Sequence, residues 1–170
     1  VLTEKKLRDY VYLPDYVWEK YKDGQIGKAH FSDIVRVSLL AMYGGVWIDS
    51  TVYIAEDVPE YMLKNFFVFK QSPQLRECRA YGNWWIAAPA GCELLLDQLS
   101  YLLAYWKHEN VAMDYYLFHV FFRKIVDNNS QYKRMIDELP TRITDQTHAL
   151  LKNYDYEYDN KKWEQMKQIS

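Results

Sequence analysis

The sequence predicts an α/β fold in which helix outweighs strand. Three observations point there. Short apolar runs of strand character, Val46-Trp47-Ile48, Phe66 to Phe69 and Trp84 to Ala87, are interleaved with longer stretches of helical apolar spacing. Glycine, proline and asparagine fall at the ends of these runs rather than inside them. The composition, 49% hydrophobic and 26% charged over 170 residues, supplies a core of domain size and excludes general disorder.

Taken in order, Pro14 opens a short helix over Asp15 to Lys22, which Asp23-Gly24 ends. From Lys28 to Tyr43 the apolar residues are Phe31, Ile34, Val35, Val37, Leu39, Leu40 and Met42. They are too continuous for a one-sided stripe, so this helix is expected to be buried on most sides. Gly44-Gly45 stops it, since glycine accepts the left-handed geometry of a helix C-cap. Val46-Trp47-Ile48 follows as a short buried strand with Asp49-Ser50-Thr51 at its carboxyl end, and Val52 to Ile54 resumes extended structure. Phe66 to Phe69 and Trp84 to Ala87 are two further strands, separated by a polar stretch from Gln71 to Gly82. Gly91 to Lys107 reads as a helix whose apolar face is Leu94, Leu95, Leu99, Leu102 and Leu103. Asp114 caps or opens another helix through Val126, which ends in the turn Asp127-Asn128-Asn129-Ser130. A shorter helix spans Tyr132 to Glu138, and Asp159 to Gln168 reads as a polar one beyond the alternating run Tyr154 to Tyr158. No repeat or linker divides the chain, so residues 1–170 are read as one domain.

The charge balance, 21 basic against 23 acidic residues, argues against a protein that holds nucleic acid by phosphate neutralisation. Cys78 and Cys92 are too few for a disulfide scaffold, lack zinc-site clustering and read as reduced buried thiols. No run approaches the roughly 20 apolar residues of a membrane span. Val1 to Lys6 looks like neither a signal nor a transit peptide, so the expected location is cytoplasmic, with peripheral docking on the inner membrane face left open. A Walker-type phosphate loop, a GxGxxG after a strand, a GxSxG elbow and a cysteine nucleophile with a nearby base are all missing, which removes the common hydrolase and dehydrogenase readings. The 6 Trp, 16 Tyr and 7 Phe suit a sugar or base site, and equally a dense core.

The sharpest segment runs from Phe31 to Tyr53. Asp33 and Arg36 place a carboxylate and a guanidinium three residues apart on one helix face. Asp49 stands at the carboxyl end of a strand, where open α/β sheets bind ligands; it can hold a divalent cation or accept hydrogen bonds from sugar hydroxyls. Trp47 offers a flat face beside it. Asn83-Trp84 sets an amide next to a stacking surface, and one of Trp84 and Trp85 belongs to the core because strand neighbours face opposite sides. Asp114 is either a plain N-cap or a site carboxylate. His119, five residues on, lies off its helix face, and His30, His108 and His148 carry nothing that lifts them above structural roles. Taken singly, each of these features is common.

Together, Ser32-Asp33-x-x-Arg36, Leu39-Leu40 and Tyr43-Gly44-Gly45-Val46-Trp47-Ile48-Asp49 resemble the signature of the sugar-nucleotide glycosyltransferases with a DXD motif. Within that group the sequence is most similar to the capsular polysaccharide synthesis protein family of bacteria, which writes Gly-Gly-Val-Trp-Ile-Asp-Ala/Ser-Thr. Tyr10-Val11-x-Leu13-Pro14, Ala29-His30-Phe31 and Asp114-Tyr115-x-Leu117-Phe118-His119 resemble it too, over roughly Leu2 to Val120.

The resemblance implies a GT-A type fold holding a nucleotide-diphosphate sugar, here without the N-terminal strand–helix–strand unit that seats the base. Residues 1–170 then form a single truncated glycosyltransferase domain. Transferred residue by residue, Asp49 contacts the donor and its Mn or Mg ion, and Asp33 and Arg36 hold the donor sugar. Trp47, Asn83 and Trp84 line the donor, and Asp114 is a second carboxylate at the reaction centre. Thr51 stands where a full DXD has its second acid, and a hydroxyl is a weaker ligand for a hard cation. The implied reaction moves a sugar, generally with retention, onto a polysaccharide or lipid-linked glycan. The rival readings are a non-catalytic carbohydrate-binding or scaffold domain that keeps the motif as structure, and a helical module whose aromatic surface binds protein.

Overall fold

In the computed structural model, the described residues are 3–54, 56–70, 80–140, 157 and 159–167. They form a mixed helix–strand architecture: α1 (Glu4–Leu7), α2 (Asp15–Lys22), α3 (Lys28–Tyr43), β1 (Gly45–Ile48), a 3-10 turn (Glu60–Met62), β2 (Phe67–Lys70), β3 (Tyr81–Ala88), α4 (Glu93–His108), α5 (Leu117–Asn128), α6 (Ser130–Asp137) and α7 (Asn160–Lys167). Cys78, His148 and the run Tyr154 to Tyr158, apart from Glu157, lie outside the described residues.

α3 is the central helix. Ile34 and Val37 are fully buried, and its polar residues His30, Asp33, Arg36 and Ser38 are buried with them, as a helix covered on most sides requires. α4 packs along it through Leu95, Leu102 and Trp106, none more than 1% exposed. Each such side chain contributes about 1.5–3 kcal/mol by leaving water. Gln98, fully buried on α4, donates to the Phe118 carbonyl at 2.9 Å and ties α5 to this pair. Lys20 reaches from α2 to donate to the Trp106 and Glu109 carbonyls, satisfying the C-terminal turn of α4.

The sheet has the order β1-β3-β2, and all of its pairings are antiparallel. Val68, Ile86 and Ala88 pack toward the helices. Phe67, Phe69, Trp85 and Ala87 face the other way, under Met62 of the 3-10 turn, where Trp85 Nε1 donates to the Met62 carbonyl at 3.0 Å. β1 is an edge strand and only half-buried, not the buried strand its apolar run predicts, and Val52 to Ile54 takes no regular extended pairing. β3 begins earlier than expected, so Asn83 lies inside the strand.

Gly44 makes the sharp exit from α3 into β1. Its φ of 67° and ψ of −162° lie in a region that glycine alone occupies readily, rather than the left-handed helical well of an ordinary C-cap. A Cβ there would sit 2.5 Å from the Ala90 nitrogen. The close approach of α3's end to the turn after β3 is therefore built on the absence of a side chain. α5 starts at Leu117, so Asp114 does not cap it; its Oδ1 accepts from the Tyr116 N–H at 2.8 Å in a local turn. Asn129, expected in a turn, is instead the N-cap of α6 and accepts from the Gln131 and Tyr132 N–H groups.

Candidate functional site

The site is assembled where the middle of α3 faces the carboxyl end of β1 and the first half of β3. Helical spacing puts His30, Asp33 and Arg36 on successive turns of one face. β1 ends at Ile48, opposite Trp85, and Asp49 extends the ladder by donating its N–H to the Trp84 carbonyl at 2.9 Å. These two placements bring Arg36 between two carboxylates.

Arg36 is 5% exposed and spends its guanidinium on several acceptors. Nη1 lies 3.5 Å from Asp33 Oδ1 and donates to the Asn83 carbonyl at 2.5 Å. Nη2 lies 3.2 Å from Asp49 Oδ1 and 3.4 Å from Ser32 Oγ. Arg36 Nε is buried and has no hydrogen-bond partner among the described residues. Asn83 Nδ2 closes the ring by donating to Asp33 Oδ1 at 3.0 Å. Trp47 Nε1 donates to Asp49 Oδ1 at 2.6 Å, and the guanidinium carbon lies 5.1 Å from the Trp47 ring centroid. Trp47 thus holds Asp49 as well as flanking it.

Five of the sequence-predicted residues, Asp33, Arg36, Trp47, Asp49 and Asn83, are therefore one connected group. Trp84 joins it through its carbonyl, while its ring stacks on Phe69 at 4.3 Å between centroids. Thr51 is exposed in the turn just after Asp49. Asp114 stands apart, exposed beside the N-terminal turn of α3. There it faces His30, a residue that sequence reasoning left as structural. His30 is buried between Trp106, at 5.6 Å, and Tyr115, at 6.3 Å between ring centroids. Burial lowers the proton affinity of its imidazole and the Asp114 charge partly restores it. The i, i+3 ladder of His30, Asp33 and Arg36 was the signal that could have found it.

Burial pushes the Asp33 carboxyl up to about 6, against the opposing pull of Arg36 and Asn83, with the Asp49 charge adding to the rise. The folded protein therefore binds this proton more tightly than the unfolded chain does. The stability this lends is complete below the ordinary carboxyl value of 3.8 and is lost as pH rises through about 6. Asp33→Asn has no such proton to lose. In urea titrations at fixed pH, the variant is expected to gain stability relative to wild type between these two values and to gain nothing further above. A pH-independent difference would remove the raised carboxyl from the account.

The donor set does not by itself make a resident metal centre. Among the described residues no three metal-ligating side chains converge. Among the described residues both polar side-chain contacts of Asp49 fall on Oδ1, which leaves Oδ2 with lone pairs for a cation or a hydroxyl. One such carboxylate fits a cation shared with substrate phosphates, the arrangement magnesium ordinarily adopts.

Among the described residues no helix is long and apolar enough to cross a membrane. No curated protein and no solved structure matches the chain. The family model described as capsular polysaccharide synthesis protein matches residues 1–170, the whole sequence with every element described above. The chain belongs to the capsular polysaccharide synthesis protein family.

Proposed function

We propose that this chain is a GT-A-like glycosyltransferase domain that moves a sugar from a nucleotide-diphosphate donor to a bacterial capsular or surface glycan. The observation that carries the reading is the linked group Asp33–Arg36–Asp49–Asn83, in which a buried arginine fixes two carboxylates at the mouth of a strand end. A structural ion pair needs one carboxylate. Here a second one, Asp49, is 30% exposed at the side chain, and among the described residues its Oδ2 takes no hydrogen bond or ion pair.

The charge sum explains how a donor is received. With both acids ionised the group carries one net negative charge, which repels a diphosphate. Asp49 Oδ2, with Thr51 as a weaker neutral neighbour, is where a magnesium or manganese ion shared with the donor would be held. When bound, such an ion offsets the diphosphate charge and stabilises it as a leaving group. Asp33 and Asn83 supply acceptor and donor groups for sugar hydroxyls, and Arg36 sets their orientation.

Melting temperatures of the full-length protein with uridine and guanosine diphosphate sugars, with and without manganese, test the reading. A metal-dependent rise with one donor is expected. Stabilisation by free oligosaccharide alone, with no response to nucleotide sugars, would assign the domain to carbohydrate binding instead.

A further inference from the structure

His30 stands outside the linked group around Arg36 but on its line. It comes three residues before Asp33 on the same face of α3, a spacing that sets Cβ atoms about 5–6 Å apart. Asp49, Arg36, Asp33 and His30 therefore follow one another from the carboxyl end of β1 to the N-terminal turn of α3. The His30 ring is 8% exposed and makes no hydrogen bond among the described residues. A histidine kept only for packing ordinarily spends its N–H on a carbonyl or a carboxylate. Trp106, 5.6 Å away between ring centroids, is 0% exposed, and its Nε1 also has no partner among the described residues. The His30 nitrogens, unlike Trp106 Nε1, are not sealed from water. Buried polar groups left unpaired in a folded protein point to a ligand that pairs them. Asp114, exposed on the loop before α5, puts its charge on the same ring.

We propose that His30 and Asp114 form the far wall of the donor-sugar subsite and select a hexose by its hydroxyl at C4, across the ring from the diphosphate. This placement rests on the donor reading, in which the diphosphate lies at Asp49 and the sugar at Asp33 and Asn83. Three residues of helix rise about 4.5 Å, roughly the breadth of one pyranose ring. A sugar held at Asp33 thus turns its far edge to His30. Burial holds the imidazole below its ordinary value of 6.5, so above that pH the ring is neutral, with one N–H to donate and one nitrogen to accept. A hydroxyl matches both. Equatorial and axial hydroxyls at C4 point in different directions, and a ring fixed on a buried helix meets only one of them. A site that hydrogen-bonds a substrate hydroxyl discriminates against the sugar that fails to present it.

Calorimetric titration of the full-length protein in manganese tests it without an acceptor. The probes are free uridine and guanosine diphosphate and donor pairs that differ only at C4. These are uridine diphosphate glucose against galactose, the same pair as N-acetylhexosamines, and guanosine diphosphate mannose against its 4-deoxy analogue. Wild type is expected to separate the members of one pair by about tenfold in Kd. His30→Ala is expected to bring that ratio near one while binding the free nucleoside diphosphate as wild type does, and His30→Gln, which keeps an amide there, to retain part of the ratio. If the His30 variants do not fold, Asp114→Asn, a change at an exposed side chain, is expected to lower the ratio about threefold. Equal binding of both members by wild type overturns the proposal, as does a wild-type ratio in His30→Ala or, where only that variant folds, in Asp114→Asn. Loss of free nucleoside diphosphate binding in His30→Ala assigns the residue to support of α3 and overturns it equally. A wild type that binds no nucleotide or nucleotide sugar overturns the donor reading and this subsite with it, a result distinct from the others.

Discussion

Arg36→Met is expected to cost about 3–5 kcal/mol of folding stability, read as a drop in the urea midpoint, because it strands buried charge. Methionine fills much of the same volume, so the loss is electrostatic rather than a cavity. Asp33 is 6% exposed and among the described residues would keep only Asn83 as a partner, while the Asn83 carbonyl would lose its guanidinium donor. Lysine is not a remedy. Its single ammonium cannot fork between Asp33, Asp49 and the Asn83 carbonyl, so Arg36→Lys is expected to recover only a small part of the loss. Adding Asp33→Asn to Arg36→Met removes the stranded carboxylate, and the pair is expected to cost less than the sum of its single changes. An Arg36→Met protein with the wild-type midpoint would show that the guanidinium is not what holds the two carboxylates together.

Asp49→Asn has the opposite profile: little loss of stability and a loss of transfer of at least about a hundredfold, the scale of removing a key electrostatic group from a reaction centre. Asparagine keeps an oxygen where Asp49 Oδ1 accepts from Trp47 and lies 3.2 Å from Arg36 Nη2, and the side chain is already 30% exposed, so the fold loses little. What it loses is the negative charge that would hold a cation against the diphosphate. Initial rates with the full-length protein and a nucleotide-sugar donor measure this, and the manganese-dependent melting shift is expected to vanish with the activity. Wild-type transfer by Asp49→Asn sinks the role given to Asp49 and leaves the motif as structure.

The helices were legible because their signals are local. α2 and α3 have the bounds that Asp15 to Lys22 and Lys28 to Tyr43 predict, from apolar spacing and the glycines that follow. The sheet was less so. Whether Val46-Trp47-Ile48 is central or at an edge depends on which strands pair with it, and pairing between residues some forty positions apart leaves no trace in either segment. The site followed the same division. Asp33 and Arg36 announce themselves by helical spacing and Asp49 by its place after a strand. Asn83 acts through its carbonyl as well as its amide, a role that no residue type encodes. The Trp84 ring went to Phe69 rather than to the arginine, a choice made by packing on one face of β3. Asp114 was expected at a helix start; the helix begins three residues later, since a local side-chain turn competes with capping.

The sheet order sets a sequence of events as well as a shape. Among the described residues β3 alone is hydrogen-bonded on both sides, whereas β1 has a single neighbour. Edge strands open by local fluctuations that a doubly paired strand survives, so amides of β3 exchange with solvent only when much more of the domain comes apart. Asn83 rides on that slow strand, and Asp33 and Arg36 on a buried helix. Asp49 rides on the tip of the fast one. Of the two carboxylates that Arg36 joins, Asp33 is thus expected to stay in place for the lifetime of the fold, and Asp49 to loosen whenever the edge strand frays.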